Sequence, residues 1–260
     1  MNIFITGGTT GIGAALAKLY LDEGHNVGVC GRSKEKFEET FVQVENREQR
    51  LIFYPVDVTD KTKIQATLLE FVNRFKTLDI IIANAGVGIG DKSSVPAFEK
   101  AYEVININVL GLMYTLETAI EVFKKQNYGH IVTLGSVAGY RGLPGAAAYC
   151  GSKAFVLKLS ETLAIDLLPL NIYVTAIAPG FVDTPLTKVN KHPMPFLMES
   201  SKAALLIANA IRKRKSFLAF PFRMRLLLAP FLLLPTTSYV KLFQLKHSSL
   251  LKKFMDKMNF

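Results

Sequence analysis

Short apolar runs alternate along the chain with longer stretches in which apolar residues recur every three or four positions. The runs predict seven strands, near residues 3–5, 26–30, 51–54, 80–83, 131–134, 173–177 and 217–220. Because these runs lack a polar face, they are typical of parallel strands that are covered on both sides. The stretches between them predict helices, among them 34–46, 60–75, 98–125, 146–168 and 203–213. This alternation predicts a doubly wound α/β fold with a seven-stranded parallel sheet, helices on both faces and ligands at the carboxyl ends of the strands.

Length and cysteine content narrow the class of protein. The 260 residues suit one α/β domain over residues 1–220, followed by an extension over 221–260. With only two cysteines, Cys30 and Cys150, the sequence predicts no metal site and no disulfide framework, and free thiols in a reducing compartment. A strand that begins near residue 3 leaves no room for a signal peptide, so we expect a cytoplasmic location.

The first predicted strand runs into a glycine-rich turn, and a helical pattern begins directly after it. The glycines are Gly7, Gly8, Gly11 and Gly13. Backbone N–H groups and the positive end of a helix dipole meet at such a turn, and glycines let a pyrophosphate approach without meeting a Cβ. The first two glycines of the motif are one residue further apart than in the common G-x-G-x-x-G pattern. The turn predicts a dinucleotide site, and a tight strand–helix connection without a ligand is the alternative.

Three segments at the ends of the next strands would extend this site. Arg32 follows the second strand, about 20 residues after the glycine turn. At this position an acid favours the free 2′-hydroxyl of NAD, whereas an arginine favours the 2′-phosphate of NADP. NADP is therefore favoured over NAD, with a solvated surface arginine as the alternative. Asp57 could accept a hydrogen bond from the adenine amino group, or it could cap the next helix or bond the loop backbone. Asn84, Ala85 and Gly86 could run beside the adenosine ribose or close a tight corner.

A serine, a tyrosine, a lysine and an asparagine supply the candidate chemistry. Tyr149 and Lys153 lie four residues apart in a predicted helix and therefore on one face of it. A cation about 4 Å from a phenol contributes roughly 4 kcal/mol at an effective dielectric constant of about 20, or about three pKa units before desolvation opposes it. We therefore expect Lys153 to bring the pKa of Tyr149 toward neutral pH, where the phenol can act as a general acid or base. Ser136 would hold a substrate oxygen by a hydrogen bond, and Asn108 could anchor a water that connects Lys153 to solvent. Taken singly, each of these residues could instead be structural.

Together these motifs resemble the short-chain dehydrogenase/reductase family in its short, single-domain form, which has a Rossmann-like fold. The matching segments, in the order and spacing of the family, are Thr6-Gly7-x3-Gly11-Ile12-Gly13, Asn84-Ala85-Gly86, Asn108, Ser136, Tyr149-x3-Lys153 and Pro179-Gly180-x3-Thr184. The resemblance extends over residues 1 to about 220.

The resemblance implies hydride transfer between the nicotinamide C4 and a carbonyl or alcohol carbon. It gives Tyr149 the acid/base role and Ser136 the role of orienting the carbonyl. Lys153 would tune Tyr149 and bond the nicotinamide ribose, and Asn108 would complete a proton relay. The implied cofactor-binding residues are Thr6, Gly7, Thr9, Thr10, Gly11, Ile12, Gly13, Arg32, Asp57, Val58, Asn84, Ala85, Gly86, Tyr149, Lys153, Pro179, Gly180, Val182 and Thr184. Of these, Thr184 and the backbone of residues 179–182 would hold the carboxamide.

Two positions depart from the pattern of the family. Ala83 stands where many members have a further asparagine, and Thr10 stands where many NADP-preferring members have a second basic residue. The prediction of NADP therefore depends mainly on Arg32. The resemblance also implies a homodimer or homotetramer.

Residues 185–200 are predicted to form a loop over the active site. Leu186, Met194, Phe196, Leu197 and Met198 would make this lid apolar. An apolar lid indicates an apolar substrate, and a lid that packs on its own core is the alternative.

The last 60 residues differ in composition from the rest of the chain. Residues 201–260 carry 12 Lys and Arg against the single acid Asp256, whereas residues 1–200 carry 19 against 20 Asp and Glu. Basic residues cluster at 212–215, residues 226–235 form an apolar run, and residues 239–260 show apolar positions at helical spacing among lysines. Such an extension could lie on an anionic membrane, or it could cover a sheet edge or a partner subunit. Without a nucleic-acid-binding motif, nucleic acid is not an expected partner.

The sequence therefore predicts an NADP(H)-dependent oxidoreductase that interconverts the carbonyl and alcohol forms of an apolar, lipid-derived substrate. The alternative from another class is a sensor or scaffold protein that binds NADP(H) without turnover. A sensor that binds NADP(H) without turnover has no need of a phenol with a shifted pKa. The presence of the full set therefore argues against the sensor: Asn108, Ser136, Tyr149 and Lys153.

Overall fold

A computed structural model of the protein describes residues 1–44, 47–88, 98–189 and 193–244. Its main sheet has seven parallel strands, which confirms the predicted fold class. These strands are β1 (Asn2–Thr6), β2 (Asn26–Gly31), β3 (Leu51–Pro55), β4 (Ile80–Ala83), β5 (Gly129–Leu134), β6 (Ile172–Pro179) and β9 (Phe217–Phe220). Two further strands of two residues, β7 (Val182–Asp183) and β8 (Met198–Glu199), pair with each other in parallel.

Helices connect the strands and cover both faces of the sheet. They are α1 (Gly11–Asp22), α2 (Lys34–Phe41), α3 (Arg47–Arg50), α4 (Lys61–Phe75), α5 (Phe98–Ile105), α6 (Leu112–Gln126), α7 (Ala147–Leu167), α8 (Pro185–Lys188), α9 (Ser200–Arg212), α10 (Phe222–Leu233) and α11 (Thr236–Gln244). The region predicted as one helix over 98–125 is divided, because a π-helix over Asn106–Gly111 separates α5 from α6.

The strand order in the main sheet is β3-β2-β1-β4-β5-β6-β9. The direction in which the chain adds strands reverses between β1 and β4, since β2 and β3 lie on one side of β1 and the later strands on the other. Ligands of such sheets bind in the crevice outside the carboxyl ends of the strands at this point of reversal. The topology therefore places the glycine turn, which follows β1, beside residues 84–86, which follow β4.

Alternating residues of the central strands pack into two separate cores. Ile3 and Ile5 of β1 belong to the core with α1 and α9, whereas Phe4 packs into the core with α4, α6 and α7. All three of these side chains are fully buried. Because both faces are covered, the strands tolerate uniformly apolar sequences, and this explains why their pattern could be recognised.

The chain after β9 forms two helices that the sequence did not delimit. The apolar run over 226–235 lies mainly in α10, which has Pro230 within it, and the segment predicted to be helical from residue 239 begins earlier, at Thr236. Residues 245–260, which complete the predicted amphipathic segment, lie outside the described residues. No single described helix is long and apolar enough to cross a membrane; α10 and α11 reach that length and apolarity only together, and they are bent by 109° at the break between them.

Candidate active site

The glycine turn between β1 and α1 has a backbone that only glycine adopts readily. Gly7 and Gly11 have φ angles of +62° and +56°. A Cβ on Gly7 would lie 2.8 Å from the Ala85 Cα, and one on Gly13 would lie 2.5 Å from the Gly7 carbonyl oxygen. Side chains at these positions would therefore separate the turn from the end of β4.

The N-terminus of α1 opens toward the cleft. Thr10 precedes the helix with an extended backbone, and within the described part of the chain its side chain makes no capping hydrogen bond. Thr10, Gly11 and Ile12 line the cleft. Because the first N–H groups of a helix have no partner inside the helix, this end offers donors and a positive dipole to an anion.

Thr6 and Asn84 hold the glycine turn to the end of β4. The Asn84 side-chain amide donates hydrogen bonds to the carbonyl oxygens of Thr6 and Gly7, at 3.0 and 2.9 Å. In return, the Thr6 hydroxyl accepts the backbone N–H groups of Asn84 and Ala85, each at 3.1 Å. Thr6 is buried behind the cleft surface. Both side chains therefore position the cradle, and the departure at Ala83 leaves these bonds intact.

Ser136, Tyr149 and Lys153 converge on the same cleft from two elements. Ser136 follows β5, and the other two lie one turn apart in α7. The Ser136 hydroxyl accepts the Ala138 N–H at 3.1 Å and also forms a hydrogen bond that favours the ionised form of Tyr149. A serine and a phenol hydroxyl in contact at a cleft surface can together hold one carbonyl oxygen.

The predicted effect of Lys153 on Tyr149 is wrong. Burial raises the pKa of Tyr149 above the ordinary value, and the hydrogen bond with Ser136 offsets only part of this rise. The Lys153 ammonium lies 5.8 Å from the centroid of the Tyr149 ring and donates instead to the Leu134 carbonyl oxygen at 2.8 Å. Since the phenol keeps its proton at neutral pH, Tyr149 is suited to donate a proton.

Burial acts on Lys153 in the opposite sense. The side chain is 6% exposed, and burial lowers its pKa from 10.5 to about 8. No carboxylate of the residues that the structure describes offsets this effect of burial. A lysine with this pKa is still mostly protonated at neutral pH but can exchange its proton readily there.

Asn108 lies behind the cleft and joins the Val87 backbone to the Ser152 hydroxyl. Its side-chain oxygen accepts the Val87 N–H at 2.8 Å, and its amide donates to the Val87 carbonyl oxygen at 3.0 Å and to the Ser152 hydroxyl at 3.1 Å. A Cβ on Gly86 would lie 3.2 Å from the Asn108 oxygen and 3.5 Å from the Lys153 ammonium nitrogen. The small residue thus leaves room between Asn108 and Lys153. The surrounding π-helix is a feature that frequently occurs at functional sites.

Basic side chains lie at the opposite end of the cleft from Tyr149. Arg32 lines this end, as predicted, and so do Ser33 and Lys36 at the start of α2. The Ser33 hydroxyl caps α2 by accepting the Lys36 N–H at 3.2 Å. The cap sets the first turn of α2, from which Lys36 reaches the cleft beside Arg32. Sequence reasoning missed Lys36, although a lysine four residues after Arg32 at a helix start was the available signal.

Asp57 has one of the roles left open for it, the bond to the loop backbone, and its contact with adenine stays a prediction. Its Oδ1 accepts the backbone N–H and the hydroxyl of Thr59, at 2.9 and 2.8 Å, so it shapes the loop after β3. It also lines the cleft. The residue that caps α4 is Asp60.

The segment after β6 closes the side of the cleft near Tyr149. Thr184 is the N-cap of α8 and forms a capping box with Thr187. Leu186 of α8 lines the cleft and packs toward Gly88. Of the residues predicted to make the lid apolar, Leu186 is the one that lines the cleft in the described part of the chain. Met194 is partly buried, Phe196 and Leu197 are exposed, and Met198 pairs in β8 and packs on the core with α1 and α9. Residues 190–192 lie outside the described residues.

The cleft has a volume of about 330 Å³, within the range of small-molecule sites. It collects most of the predicted cofactor-binding and catalytic residues: Gly7, Thr9, Thr10, Gly11, Ile12, Arg32, Asp57, Val58, Asn84, Ala85, Gly86, Ser136, Tyr149, Lys153, Pro179, Gly180, Val182 and Thr184. Three predicted residues, Thr6, Gly13 and Asn108, stand behind this surface and support it. Cys30 also lines the cleft, and burial raises the pKa of its thiol to about 12.

Comparison with known proteins identifies the family that this chain resembles. The sequence profile of the family described as short chain dehydrogenase matches residues 1–194. An uncharacterized oxidoreductase of Myxococcus xanthus is 35% identical over 224 residues, covering 85% of this chain and 87% of the relative. The 3-oxoacyl-(acyl-carrier-protein) reductase FabG of Thermotoga maritima is 34% identical over 185 residues, covering 71% and 75%. The solved structure of ElxO with NADP bound is 26% identical, has a TM-score of 0.75, and the match covers 84% of this chain and 96% of that one.

Proposed function

The chain belongs to the short-chain dehydrogenase/reductase family and is an NAD(P)-dependent oxidoreductase of carbonyl and alcohol groups, and we propose that it uses NADPH to reduce an apolar, lipid-derived carbonyl compound. The observation that carries this proposal is the meeting of the Ser136 and Tyr149 hydroxyls beside Lys153 in a cleft whose far end is basic. Ser136 and Tyr149 supply the proton chemistry, and the basic end supports the choice of cofactor.

The proposed chemistry needs one proton and one hydride. NADPH, when bound, supplies the hydride to the carbonyl carbon. Tyr149 donates its phenolic proton to the carbonyl oxygen as negative charge develops there, and the Ser136 hydroxyl donates a hydrogen bond to the same oxygen. A raised pKa keeps Tyr149 protonated before the reaction, which suits reduction better than oxidation.

Lys153 would restore the proton that Tyr149 loses. Its pKa of about 8 lies close to neutral pH, so proton release from the ammonium costs little. The Leu134 carbonyl holds the ammonium, and Asn108 stands across the space that Gly86 leaves open. A water in that space, anchored by Asn108, would connect Lys153 to solvent, which is the role that the sequence predicted for Asn108.

Several features of the cleft fit a dinucleotide with a 2′-phosphate. The glycine turn leaves a cradle that a Cβ would fill, and the α1 N-terminus offers unpaired N–H groups to a pyrophosphate. Arg32 and Lys36 can both contact a 2′-phosphate, whereas an NAD-preferring site has an acid after β2. Thr10 stands where many NADP-preferring members have a second basic residue, and Lys36 of α2 would supply that second positive charge instead.

Support for an apolar substrate comes from the other end of the cleft. Val87 and Leu186 line it near Tyr149, and Gly88 lies against Leu186. Such walls bind an alkyl chain better than a polar one. The Thermotoga maritima relative, named as a reductase of 3-oxoacyl groups on a carrier protein, acts on a substrate of this type.

A cofactor titration combined with a substrate panel tests the proposal. Purified full-length protein is titrated with NADPH and NADH by fluorescence, and then mixed with medium-chain ketones, aldehydes, steroids and 3-oxoacyl thioesters while absorbance at 340 nm is followed. We expect tighter binding of NADPH than of NADH and fastest consumption with an apolar carbonyl. Failure to bind NADPH would refute the choice of cofactor. Binding without consumption by any carbonyl would favour the sensor.

A further inference from the structure

The outward face of α10 carries apolar side chains that nothing in the described chain covers. Phe222, Leu226, Ala229 and Leu233 follow the spacing i, i+4, i+7, i+11 and therefore share one face of the helix. All four are exposed, and Phe222, Leu226 and Leu233 expose 65%, 58% and 86% of their surface. A helix on the surface of a globular protein normally has polar residues on this face. We name these four residues the apolar stripe.

The opposite face of α10 attaches the helix next to the catalytic end of the cleft. Met224 is 2% exposed, and its Cγ lies 3.4 Å from the position of a Cβ on Gly180. Arg141, in the loop between Ser136 and Tyr149, donates hydrogen bonds to the carbonyl oxygens of Phe231, at 3.1 Å, and Leu234. These contacts hold the stripe outward and fix its position relative to the cleft.

Charge identifies the kind of partner that the stripe fits. Arg223 and Arg225 lie on either side of the stripe at the start of α10, and both are exposed. The sequence has no Asp or Glu between Glu199 and Asp256. A second copy packed through this face would bring arginines toward arginines, and residues 200–255 offer no acid to compensate them, whereas anionic lipid headgroups would pair with them. The basic cluster at 212–215 precedes β9 and therefore lies at the amino end of this strand, whereas α10 follows its carboxyl end.

We propose that α10 docks this enzyme on an anionic lipid bilayer, with the apolar stripe below the headgroups and Arg223 and Arg225 at headgroup level. The geometry matches an interfacial helix, because α10 has 12 residues and cannot span a bilayer, which takes about 20. The arginine stems can lie along the apolar surface while their charged ends reach the phosphates. Docking would bring the catalytic end of the cleft close to the lipid phase. The proposal is independent of turnover, since it concerns only the outer face of the helix.

Vesicle flotation of full-length protein tests the proposal. We compare the wild type with the double variant Leu226→Gln/Leu233→Gln and with a control, Ile165→Gln/Leu205→Gln, which changes two residues that are 71% and 55% exposed on α7 and α9. Vesicles of phosphatidylcholine alone and of phosphatidylcholine with 30% phosphatidylglycerol are used at low and high salt. Unchanged circular dichroism shows that each variant is folded.

The expected results follow from the two contributions to docking. The wild type and the control float with the anionic vesicles, less with neutral vesicles and less at high salt, because the arginine contribution is screened. The double variant loses about tenfold in partitioning for each leucine replaced. Wild type that stays unbound to anionic vesicles would overturn the proposal, as would a double variant that floats like the wild type. Light scattering on a sizing column provides the other refutation: a wild-type oligomer that the double variant dissociates, without vesicle binding, would show that a second copy covers the stripe.

Discussion

Lys153→Met offers the sharpest test of the electrostatics of the site. Lys153 is 6% exposed, and among the described residues its ammonium donates one hydrogen bond, to the Leu134 carbonyl. Folding therefore removes a charged group from water without giving it a carboxylate from the described part of the chain, and burial lowers its pKa from 10.5 to about 8. Methionine has a similar length and no charge. We expect the variant to be inactive but more stable than the wild type at neutral pH.

The magnitude of this effect follows from the linkage between protonation and folding. Between pH 8 and 10.5 the unfolded chain holds the Lys153 proton more firmly than the folded chain does, so stability rises with pH across this window. The lowered pKa corresponds to about 3 kcal/mol against folding at pH 7 and about 1 kcal/mol at pH 10. Loss of the hydrogen bond to Leu134 costs the variant about 1 kcal/mol. Its net advantage is therefore about 2 kcal/mol at pH 7 and close to zero at pH 10.

Urea unfolding of the cofactor-free protein at pH 7 and pH 10 measures this difference. The control is Lys158→Met, on the same helix, where the lysine side chain is 81% exposed. We expect this control to change stability by less than about 0.5 kcal/mol, because exposed lysines contribute little. If Lys153→Met is less stable than the wild type at pH 7, or if its advantage does not change with pH, then the buried charge does not destabilise the fold and the reasoning fails.

Three further variants test the basic end of the cleft, the glycine cradle and the α10 attachment. Replacing Arg32 and Lys36 together by serine should weaken NADPH binding by about 10- to 100-fold and leave NADH binding unchanged, as measured by fluorescence titration, because only the 2′-phosphate loses its partners. Gly13→Ala should destabilise the protein by about 1–3 kcal/mol in urea unfolding, since its Cβ would lie 2.5 Å from a backbone carbonyl. Arg141→Ala should speed hydrogen exchange over 222–244, because the last carbonyls of α10 lose their donor.

Matched controls make these outcomes specific. Lys34→Ser removes one positive charge from the start of α2, where Lys36 also lies, but not from the lining of the cleft, and it should leave NADPH binding within about twofold. Gly151→Ala should stabilise the protein by about 0.5–1 kcal/mol, since Gly151 lies inside α7 with no heavy atom within 4 Å of the added Cβ. Arg223→Ala should not change the exchange of α10. Equal effects of a control and its paired variant would contradict the assigned role.

The parts of the fold that sequence reasoning predicted well are those with strong local causes. The strand β4, which is Ile80–Ala83, has no polar residue and is buried on both faces, so its apolar run was sufficient to place it. The turn with Gly7 and Gly11 was recognisable because positive φ angles and a close approach to Ala85 exclude other residues. For β4 the cause lies wholly in neighbouring residues, and at the turn the positive φ angles are local whereas the approach to Ala85 is not.

The parts that were missed depend on contacts between distant segments. The effect of Lys153 on the pKa of Tyr149 depends on the burial of the phenol and on the Leu134 carbonyl that holds the ammonium. Neither can be read from the four-residue spacing between Tyr149 and Lys153. The π-helix around Asn108 forms within a continuous helical pattern and has no local stop signal. The attachment of α10 through Arg141 joins residues 90 and 93 positions apart. Such features become visible only when the chain is folded.

The central claim is that Tyr149 donates the proton for carbonyl reduction. The claim also holds that the glycine cradle binds the cofactor without the help of the Tyr149 hydroxyl. Its most direct test is Tyr149→Phe, measured by NADPH consumption at saturating NADPH with the best carbonyl from the panel and by NADPH titration of the same sample. We expect the rate to fall by at least about 100-fold while the affinity for NADPH changes by less than about threefold. A variant that reduces the carbonyl at the wild-type rate would contradict the claim.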